Sequence, residues 1–182
     1  MLPNIFITSD QHLNHSNILT FLKNDGSKLR DFPSVEEMNE TIIERYNSVV
    51  KPNDKVYNLG DVCFNLKALD LFMSKFNGTK ILIKGNHDTL KAAQYLKYFK
   101  DIRAYSQVDK FMLSHIPFHT QSVGRWKMNV HGHLHSNNVL QDDTTHDSRY
   151  FCACVEQHNF YPVALEDIIK IAKDRGIYDN TI

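Results

Sequence analysis

Residues 80–88 read KILIKGNHD, and this stretch decides the predicted fold because it joins a strand pattern directly to a polar loop. The run KILIK at 80–84 is short and apolar with polar ends, which is typical of a buried β-strand. Gly85 ends the run, and the polar triplet Asn-His-Asp follows at 86–88. In α/β sheets, ligands bind outside the carboxyl ends of the strands, so this stretch predicts both a sheet and a site at its edge.

The rest of the chain repeats the strand pattern and alternates it with helical patterns. Further strands are predicted at IFITS (5–9), KVYNL (55–59), KFMLS (110–114), MNVHG (128–132) and YFCACV (150–155). The best helical pattern is SVEEMNETIIERYNSVV at 34–50, which Ser34 and Glu37 begin as a capping box. Further helices are predicted over Leu66–Phe76, Thr89–Phe99 and Leu165–Arg175. This alternation predicts an α/β domain in which helices pack outside a sheet.

Length and composition limit the class of protein. The 182 residues fit a single domain, 1–182, with one sizeable core. Lys plus Arg and Asp plus Glu are 21 each, so no overall positive field favours nucleic acid or a membrane, and phosphate binding must be local. The three cysteines form no disulfide framework. Because no run has the length of a signal or membrane span, we expect a cytoplasmic protein with no membrane partner.

Metal-capable side chains follow five of the predicted strands at the point where each strand ends. They are Asp10, His12, Asp61, Asn86, His115, His133 and His135. Histidines that are scattered on solvated loops would not follow this rule, so we expect the set to converge at one edge of the sheet.

The donor set is chemically suited to a particular kind of metal site. Carboxylates, imidazoles and an amide oxygen without thiolate suit Mn, Fe, Co, Ni or Zn, and argue against calcium and against a cysteine-rich structural zinc site. The donors are too many for one tetrahedral ion. They are about right for two ions that share a bridging carboxylate and leave positions for water and substrate.

The order of these motifs resembles the calcineurin-like metallophosphoesterase superfamily. The motifs are DxH (10–12), GD (60–61), GNHD (85–88), a lone histidine after a strand (115) and GHxH (132–135). The flanks DQHLNHSNIL and FYPVALEDI resemble a small bacterial and phage-type branch. This resemblance implies a β-sandwich core of mixed sheets flanked by α-helices, in the layer order αββα.

The resemblance also implies a role for each motif residue. The first ion would be held by Asp10, His12 and His135. The second would be held by Asn86, His115 and His133, with Asp61 bridging the two. His87 would be the general acid that protonates the leaving oxygen, and Asp88 would orient its imidazole. Manganese is the favoured metal, with Fe, Ni, Co and Zn as alternatives.

Three other residues are weaker candidates. His15, three positions after His12, would touch a substrate phosphate if the next helix begins there. Arg125 lies between two ligand-bearing strands and would clamp a phosphate, although a solvated loop is the favoured reading. His131 has no role in the family pattern and is expected to be structural or to support a ligand.

The sequence therefore predicts a dinuclear metal-dependent phosphoesterase, a hydrolase. A phosphodiesterase that acts on nucleotides, cyclic nucleotides or nucleic-acid ends is favoured, because the chain has little room for a cap domain over its site. Val-Cys-Phe follows Asp61 where the protein phosphatase branch has Asp-Arg-Gly, which weakens a phosphoprotein assignment. The alternatives are a phosphomonoesterase or protein phosphatase, and a non-catalytic binding module of the same fold. The oligomeric state stays open.

Overall fold

The strands that precede the candidate ligands belong to two sheets in the computed structural model, which describes residues 3–178. The strands are β1 (Ile5–Thr8), β2 (Lys55–Asn58), β3 (Thr79–Ile83), β4 (Asp101–Arg103), β5 (Tyr105–Val108), β6 (Phe111–Ser114), β7 (Met128–His131), β8 (Tyr150–Cys152) and β9 (Val163–Ala164). The first sheet has the order β4-β3-β2-β1-β9 and the second has the order β5-β6-β7-β8. The domain expected over 1–182 includes residues 1, 2 and 179–182, which lie outside the described residues.

Both sheets are mixed, and their parallel strands explain why the polar loops meet. β1 pairs in parallel with β2, β2 with β3 and β3 with β4, whereas β9 is an antiparallel edge strand. In the second sheet β6, β7 and β8 are parallel, and β5 pairs with β6 as an antiparallel neighbour. Parallel strands present their carboxyl ends at one edge. The predicted α/β class with mixed sheets is therefore confirmed, although β4, β5 and β9 were not predicted.

The two sheets stack face to face on a shared apolar core. Because successive side chains of a strand point to opposite faces, β1, β2 and β3 contribute alternate residues to this core. Ile7, Tyr57 and Ile81 of the first sheet belong to one buried cluster with residues of β6, β7 and β8 and of the last helix. The neighbouring residues Phe6 and Val56 point to the opposite face, where a second cluster joins them to helices. Helices thus cover the outer face of the first sheet, while its inner face packs against the second sheet.

The helices match the sequence-based predictions with two exceptions, namely the short extent of the third helix and the presence of the fourth, which was not predicted. They are α1 (Val35–Val49), α2 (Leu66–Phe72), α3 (Ala92–Tyr95), α4 (Thr120–Val123) and α5 (Leu165–Asp174), with 3-10 turns at Ser16–Thr20, Met73–Lys75 and Val155–His158. The Ser34 side chain accepts a hydrogen bond from Glu37 N and begins α1 as predicted. Within residues 3–178, no helix combines the length and the apolar character needed to cross a membrane.

The helix predicted over Thr89–Phe99 is wrong in extent, since only α3 is α-helical there. Before α3, the backbone N–H of Thr89 donates to His87 O, which continues the tight GNHD turn. After α3, Lys100 N donates to Lys80 O at 2.8 Å as the chain returns to the start of the sheet for β4. The turn and this short return leave room for little more than one helical turn.

Candidate metal centre

The loops after β1, β2, β3, β6 and β7 bring the predicted ligands together in two adjacent groups. Each member offers one ligand atom, and within a group these atoms all lie within 4.8 Å of one another. The groups are Asp10, His12 and His135, and Asp61, His115 and His133. Asn86 joins the second group, because its Oδ1 lies 2.8 Å from His115 Nε2. Each group could hold a metal ion, and their membership matches the predicted division of ligands.

Asp61 lies between the two groups. Its Oδ2 is 3.7 Å from His12 Nε2 of the first group and 3.4 Å from His115 Nε2 of the second. Its Oδ1 accepts a hydrogen bond of 2.9 Å from the backbone N–H of His87. One carboxylate oxygen is thus fixed by the backbone, and the other faces an imidazole of each group. This is the placement that a bridging carboxylate requires.

The two carboxylate oxygens of Asp10 also have different surroundings. Its Oδ2 accepts hydrogen bonds from Ser9 Oγ at 2.5 Å, from His133 N at 2.9 Å and from Cys154 Sγ at 3.2 Å. Its Oδ1 is buried, and within residues 3–178 no hydrogen-bond donor reaches it. Because a buried polar atom without a partner is costly, the free oxygen, 3.6 Å from His12 Nε2, fits a bound cation.

The contacts of His115 also fit a cation. His115 Nδ1 lies 2.8 Å from Leu59 O, and a carbonyl can only accept, so Nδ1 carries the proton. Burial acts to lower the pKa of His115, but the carboxylates of Asp61 and Asp10 outweigh it and raise that pKa. The protonated ring donates Nε2–H to Asn86 Oδ1. A metal ion bound by both atoms would take the place of this proton, and the contact with Leu59 would orient the ring for it.

A buried ion pair supports the first group. His135 Nδ1 lies 2.9 Å from Glu156 Oε1, so that Nε2 is directed toward Asp10. Arg30 donates to the same Glu156 oxygen from Nε at 2.8 Å, and its Nη2 lies 2.7 Å from it. Arg30 also donates to the carbonyls of Gln11 and Asp10, at 2.7 and 2.5 Å. A carboxylate that binds the far nitrogen of a histidine is a common support of metal ligands.

Sequence reasoning missed both members of this pair. Arg30 and Glu156 are 126 positions apart. Neither belongs to a motif, and no local pattern marks either residue as buried. Burying an unpaired charge costs much free energy, so two buried opposite charges are expected to pair. That argument needs their burial to be known, and the sequence does not show it.

The charges of the centre favour ionised carboxylates. Burial acts to raise the pKa of Asp10, but the imidazoles of His12, His115 and His135 outweigh it and hold that pKa well below its usual range. Burial likewise acts to raise the pKa of Asp61, and contact with His115 again produces a net lowering. Both carboxylates are therefore charged at neutral pH, as metal ligands must be.

The ligand loops carry unusual backbone conformations. Nine non-glycine residues of the described chain have positive φ, and five of them are candidate ligands: Asp10, His12, Asp61, His133 and His135. Such conformations cost free energy and are concentrated at functional sites. Gly85 and Gly132 lie against the carboxylates of Asp61 and Asp10 so closely that a Cβ at either position would collide with them. The glycines of GNHD and GHxH therefore serve close packing at the centre.

His87 lies at the mouth of the site, but Asp88 has a different role from the one predicted. The His87 side chain is exposed, with its ring centroid 5.7 Å from that of His12 and 4.8 Å from that of Phe64. Asp88 is buried and accepts backbone N–H bonds from Asp61 at 2.9 Å, Gly85 at 2.8 Å and Val62 at 3.1 Å. Its carboxylate therefore holds the β2 and β3 loops together instead of orienting His87.

The weaker candidates separate in the structure. The His15 ring lies at the mouth, with its centroid 5.9 Å from that of His12 and 4.5 Å from that of Phe64. His131 is buried in β7, belongs to neither ligand group, and directs Nδ1 at Gly132 O. Burial lowers the pKa of His131 to about 4, so the ring is neutral.

Arg125 lies away from the centre, which agrees with the favoured interpretation of a solvated loop and contradicts the weaker interpretation of a phosphate clamp. It precedes Lys127, whose N–H donates to Lys110 O just before β6. Because β6 and β7 are parallel, the connection between them must return to their amino ends, opposite the ligand loops. Arg125 is part of that return and is not placed to contact a phosphate at the centre.

Fold and site together define a mixed α/β protein with two adjacent groups that could each hold a metal ion. The chain belongs to the family of the uncharacterized protein MJ1445 of Methanocaldococcus jannaschii, with 34% identity over 172 residues that cover 92% of this chain and 90% of the relative. It is also 27% identical, over 76% of its length, to the Gene 66 protein of Mycobacterium phage L5, of which 81% is covered. No family model matches the chain.

A solved structure is similar over nearly the whole chain. It is the crystal structure of AQ665, a protein of unknown function from Aquifex aeolicus, with 25% identity and a TM-score of 0.66. The alignment covers 93% of this chain and 99% of that one. This similarity concerns the α/β architecture, and the name of that protein does not state an activity.

Proposed function

We propose that this protein is a dinuclear metal-dependent phosphohydrolase of the calcineurin-like metallophosphoesterase superfamily, acting on phosphodiesters of nucleotides or nucleic-acid ends. The observation that carries the proposal is the position of Asp61 Oδ2, which faces His12 Nε2 at 3.7 Å and His115 Nε2 at 3.4 Å. One carboxylate oxygen between two ligand groups is the arrangement of two-metal hydrolytic sites. The stacked mixed sheets with helices outside support the αββα fold of that superfamily.

The donor set supports the choice of metal. The oxygen and imidazole ligands suit first-row divalent ions, and manganese is the first choice, with Fe, Ni, Co and Zn as alternatives. Cys154 is buried, belongs to neither ligand group, and donates its thiol to Oδ2 of Asp10. Ser9 and His133 also hold that oxygen. Burial raises the pKa of the Cys154 thiol, so the donor set contains no thiolate. Two such ions would supply a nucleophilic hydroxide at neutral pH and neutralise the phosphoryl oxygens.

The chain's own residues supply positioning and a proton. Asp10 and Asp61 hold their free oxygens toward the centre, because Ser9, His133 and His87 fix the other oxygens through hydrogen bonds. The exposed imidazole of His87 is placed to deliver a proton to the leaving oxygen of a substrate at the mouth. Phe64 packs on the edge of this ring and limits its movement.

The residues after Asp61 favour a diester over a phosphoprotein. Val62 and Cys63 are buried and apolar, so this loop offers no cation to a phosphorylated side chain. Asn86 and His87 are exposed, and the mouth is therefore open enough for a substrate with groups on both sides of its phosphate.

Hydrolysis of bis(p-nitrophenyl) phosphate tests the proposal. We expect turnover with added manganese, no turnover after chelation, and two ions per chain by elemental analysis. His87→Ala should retain both ions and lose rate most for esters with poor leaving groups, because these need protonation. Turnover that survives complete metal removal would refute the mechanism, and an equal loss for good and poor leaving groups would refute the role of His87.

A further inference from the structure

Two surface grooves open beside the metal centre, at different ligands. The groove named here the Lys23 groove has a volume of about 470 Å³, and its lining includes Phe21, Leu22, Lys23, Asn24, His133 and His135. The groove named the Lys84 groove has a volume of about 410 Å³, and its lining includes Lys84, Asn86, His115, Ile116, Phe118 and His119. They flank the pair His115 and His133, whose ring centroids are 5.1 Å apart. Each has the size of a pocket for a small organic group.

Both grooves suit the same kind of occupant. Each has one exposed lysine, and among residues 3–178 no aspartate or glutamate lines either of them. Each also has exposed apolar surface, from Phe21 and Leu22 in the Lys23 groove and from Ile116 in the Lys84 groove. A cation beside apolar and aromatic surface is the combination that binds single-stranded nucleic acid, where phosphates meet lysine and bases stack.

The presence of two grooves discriminates among phosphate esters. In a phosphomonoester only one organic group is attached to phosphorus, and in a cyclic nucleotide both ester oxygens belong to the same nucleoside. Either substrate would fill one groove and leave the other empty. In a linear diester the two ester oxygens carry different nucleosides, so a phosphate at the centre would place one nucleoside in each groove.

We infer that the substrate is a linear single-stranded oligonucleotide whose scissile phosphate lies at the metal centre and whose flanking nucleotides occupy the Lys23 and Lys84 grooves. This inference rests on the proposed function. Hydrolysis adds the oxygen of water to phosphorus and breaks one P–O ester bond. The proton goes to the leaving oxygen, so the products are a phosphomonoester and a free hydroxyl. Lys23 and Lys84 bind the phosphates next to the scissile one.

The first experiment compares four substrates with the manganese-loaded protein: bis(p-nitrophenyl) phosphate, a 3′,5′-cyclic nucleotide, a dinucleotide and a single-stranded hexanucleotide. We expect kcat/KM to rise from the cyclic nucleotide to the dinucleotide and again to the hexanucleotide. One stacked base is worth roughly fivefold or more in binding. A cyclic nucleotide that is hydrolysed as well as the hexanucleotide would overturn the inference.

The second experiment measures binding of a fluorescent hexanucleotide to His87→Ala protein at several salt concentrations. Each lysine–phosphate contact contributes about 0.7 to the slope of log Kd against log salt for a single strand. Adding Lys23→Ala or Lys84→Ala should each lower that slope by about this amount. Lys100→Ala is the matched control and should leave it unchanged, because Lys100 is exposed where its N–H binds Lys80 O at the opposite edge of the sheet.

The two proposals fail in different ways. If bis(p-nitrophenyl) phosphate is hydrolysed but both lysine variants keep the parental salt slope, the oligonucleotide inference is refuted and the phosphohydrolase proposal stands. If no diester is hydrolysed with Mn, Fe, Co, Ni or Zn, the phosphohydrolase proposal fails and takes the substrate inference with it.

Discussion

Replacement of Glu156 by glutamine tests whether the buried ion pair prepares the first ligand group. Glu156 Oε1 lies 2.9 Å from His135 Nδ1 and 2.7 Å from Arg30 Nη2. Burial acts to raise the pKa of Glu156, but the Arg30 guanidinium outweighs it and lowers that pKa, so the carboxylate is charged at neutral pH. Glutamine preserves the shape and one acceptor oxygen, removes the charge, and places an NH2 group at the buried position of Oε2, which has no hydrogen-bond partner among residues 3–178.

Two separate losses follow from this change. The side chains of Arg30 and Glu156 are 0% and 2% exposed, so the guanidinium loses its counter-charge in a site that water does not reach. Removing one partner of a buried pair costs about 3–5 kcal/mol, and glutamine should give the lower end because it still accepts a hydrogen bond. Affinity for the ion of the first group should also fall roughly 10- to 100-fold, since His135 loses the partner that orients it.

Urea denaturation of the metal-free protein measures the first loss, and calorimetric titration with manganese measures the second. Asp101→Asn is the control, because it removes the same charge from an exposed pair with Arg103 at 2.7 Å and should change neither quantity appreciably. A Glu156→Gln protein that is less stable but binds both ions normally would show that the pair only supports the fold. Unchanged stability and unchanged metal binding would refute the whole argument.

Three further changes probe the bridge, the close packing and the pH response. Asp61→Asn should lower the content of both ions together, because one oxygen faces both groups; elemental analysis showing two ions per chain would contradict the bridge. Gly85→Ala should lower metal content and stability, because a Cβ at this position would overlap Asp61. Gly124→Ala is the control, since a Cβ there meets no atom within 4 Å, and equal melting temperatures of the two variants would contradict the argument. Burial lowers the pKa of His158 from 6.5, so the folded protein favours the neutral ring. The buried ring therefore stabilises the fold fully above pH 6.5, and this stabilisation is lost as pH falls and the unfolded chain becomes protonated first. The metal-free parent should therefore lose more unfolding free energy than His158→Gln between about pH 7 and about pH 5, as measured by denaturant titration.

The parts of the site that sequence predicted well are those in which chemistry and strand pattern coincide. Imidazoles and carboxylates directly after an apolar run, as at Asp10 and His115, carry both a position in the sheet and a ligand type. Because parallel strands bring their carboxyl ends to one edge, the pattern predicted convergence without any knowledge of the loops. The strands that were missed, β4, β5 and β9, all lie at sheet edges. β4 has three residues and β9 only two, and the sequences DIR and YSQV of β4 and β5 are more polar than those of the central strands.

The parts that could not be predicted depend on contacts between distant residues. Arg30 and Glu156 resemble ordinary surface residues in sequence, and only their burial against each other distinguishes them. The weaker interpretation of Arg125, as a phosphate clamp, rested only on its position between two ligand-bearing strands along the chain. The connection it belongs to must return to the amino end of β7, and sequence proximity to a ligand therefore does not mean spatial proximity here.

Asp88 shows how a correct motif can be given an incorrect role. The GNHD spacing places a carboxylate next to His87, which suggests that it orients the imidazole. However, spacing does not specify the direction of a side chain, and the tight turn directs Asp88 inward. Its carboxylate there accepts the N–H groups of Asp61, Val62 and Gly85, buried donors that would otherwise lack partners. The position of the Asp61 carboxylate thus depends on a residue of the neighbouring strand's loop, which explains why GD and GNHD form one structural unit.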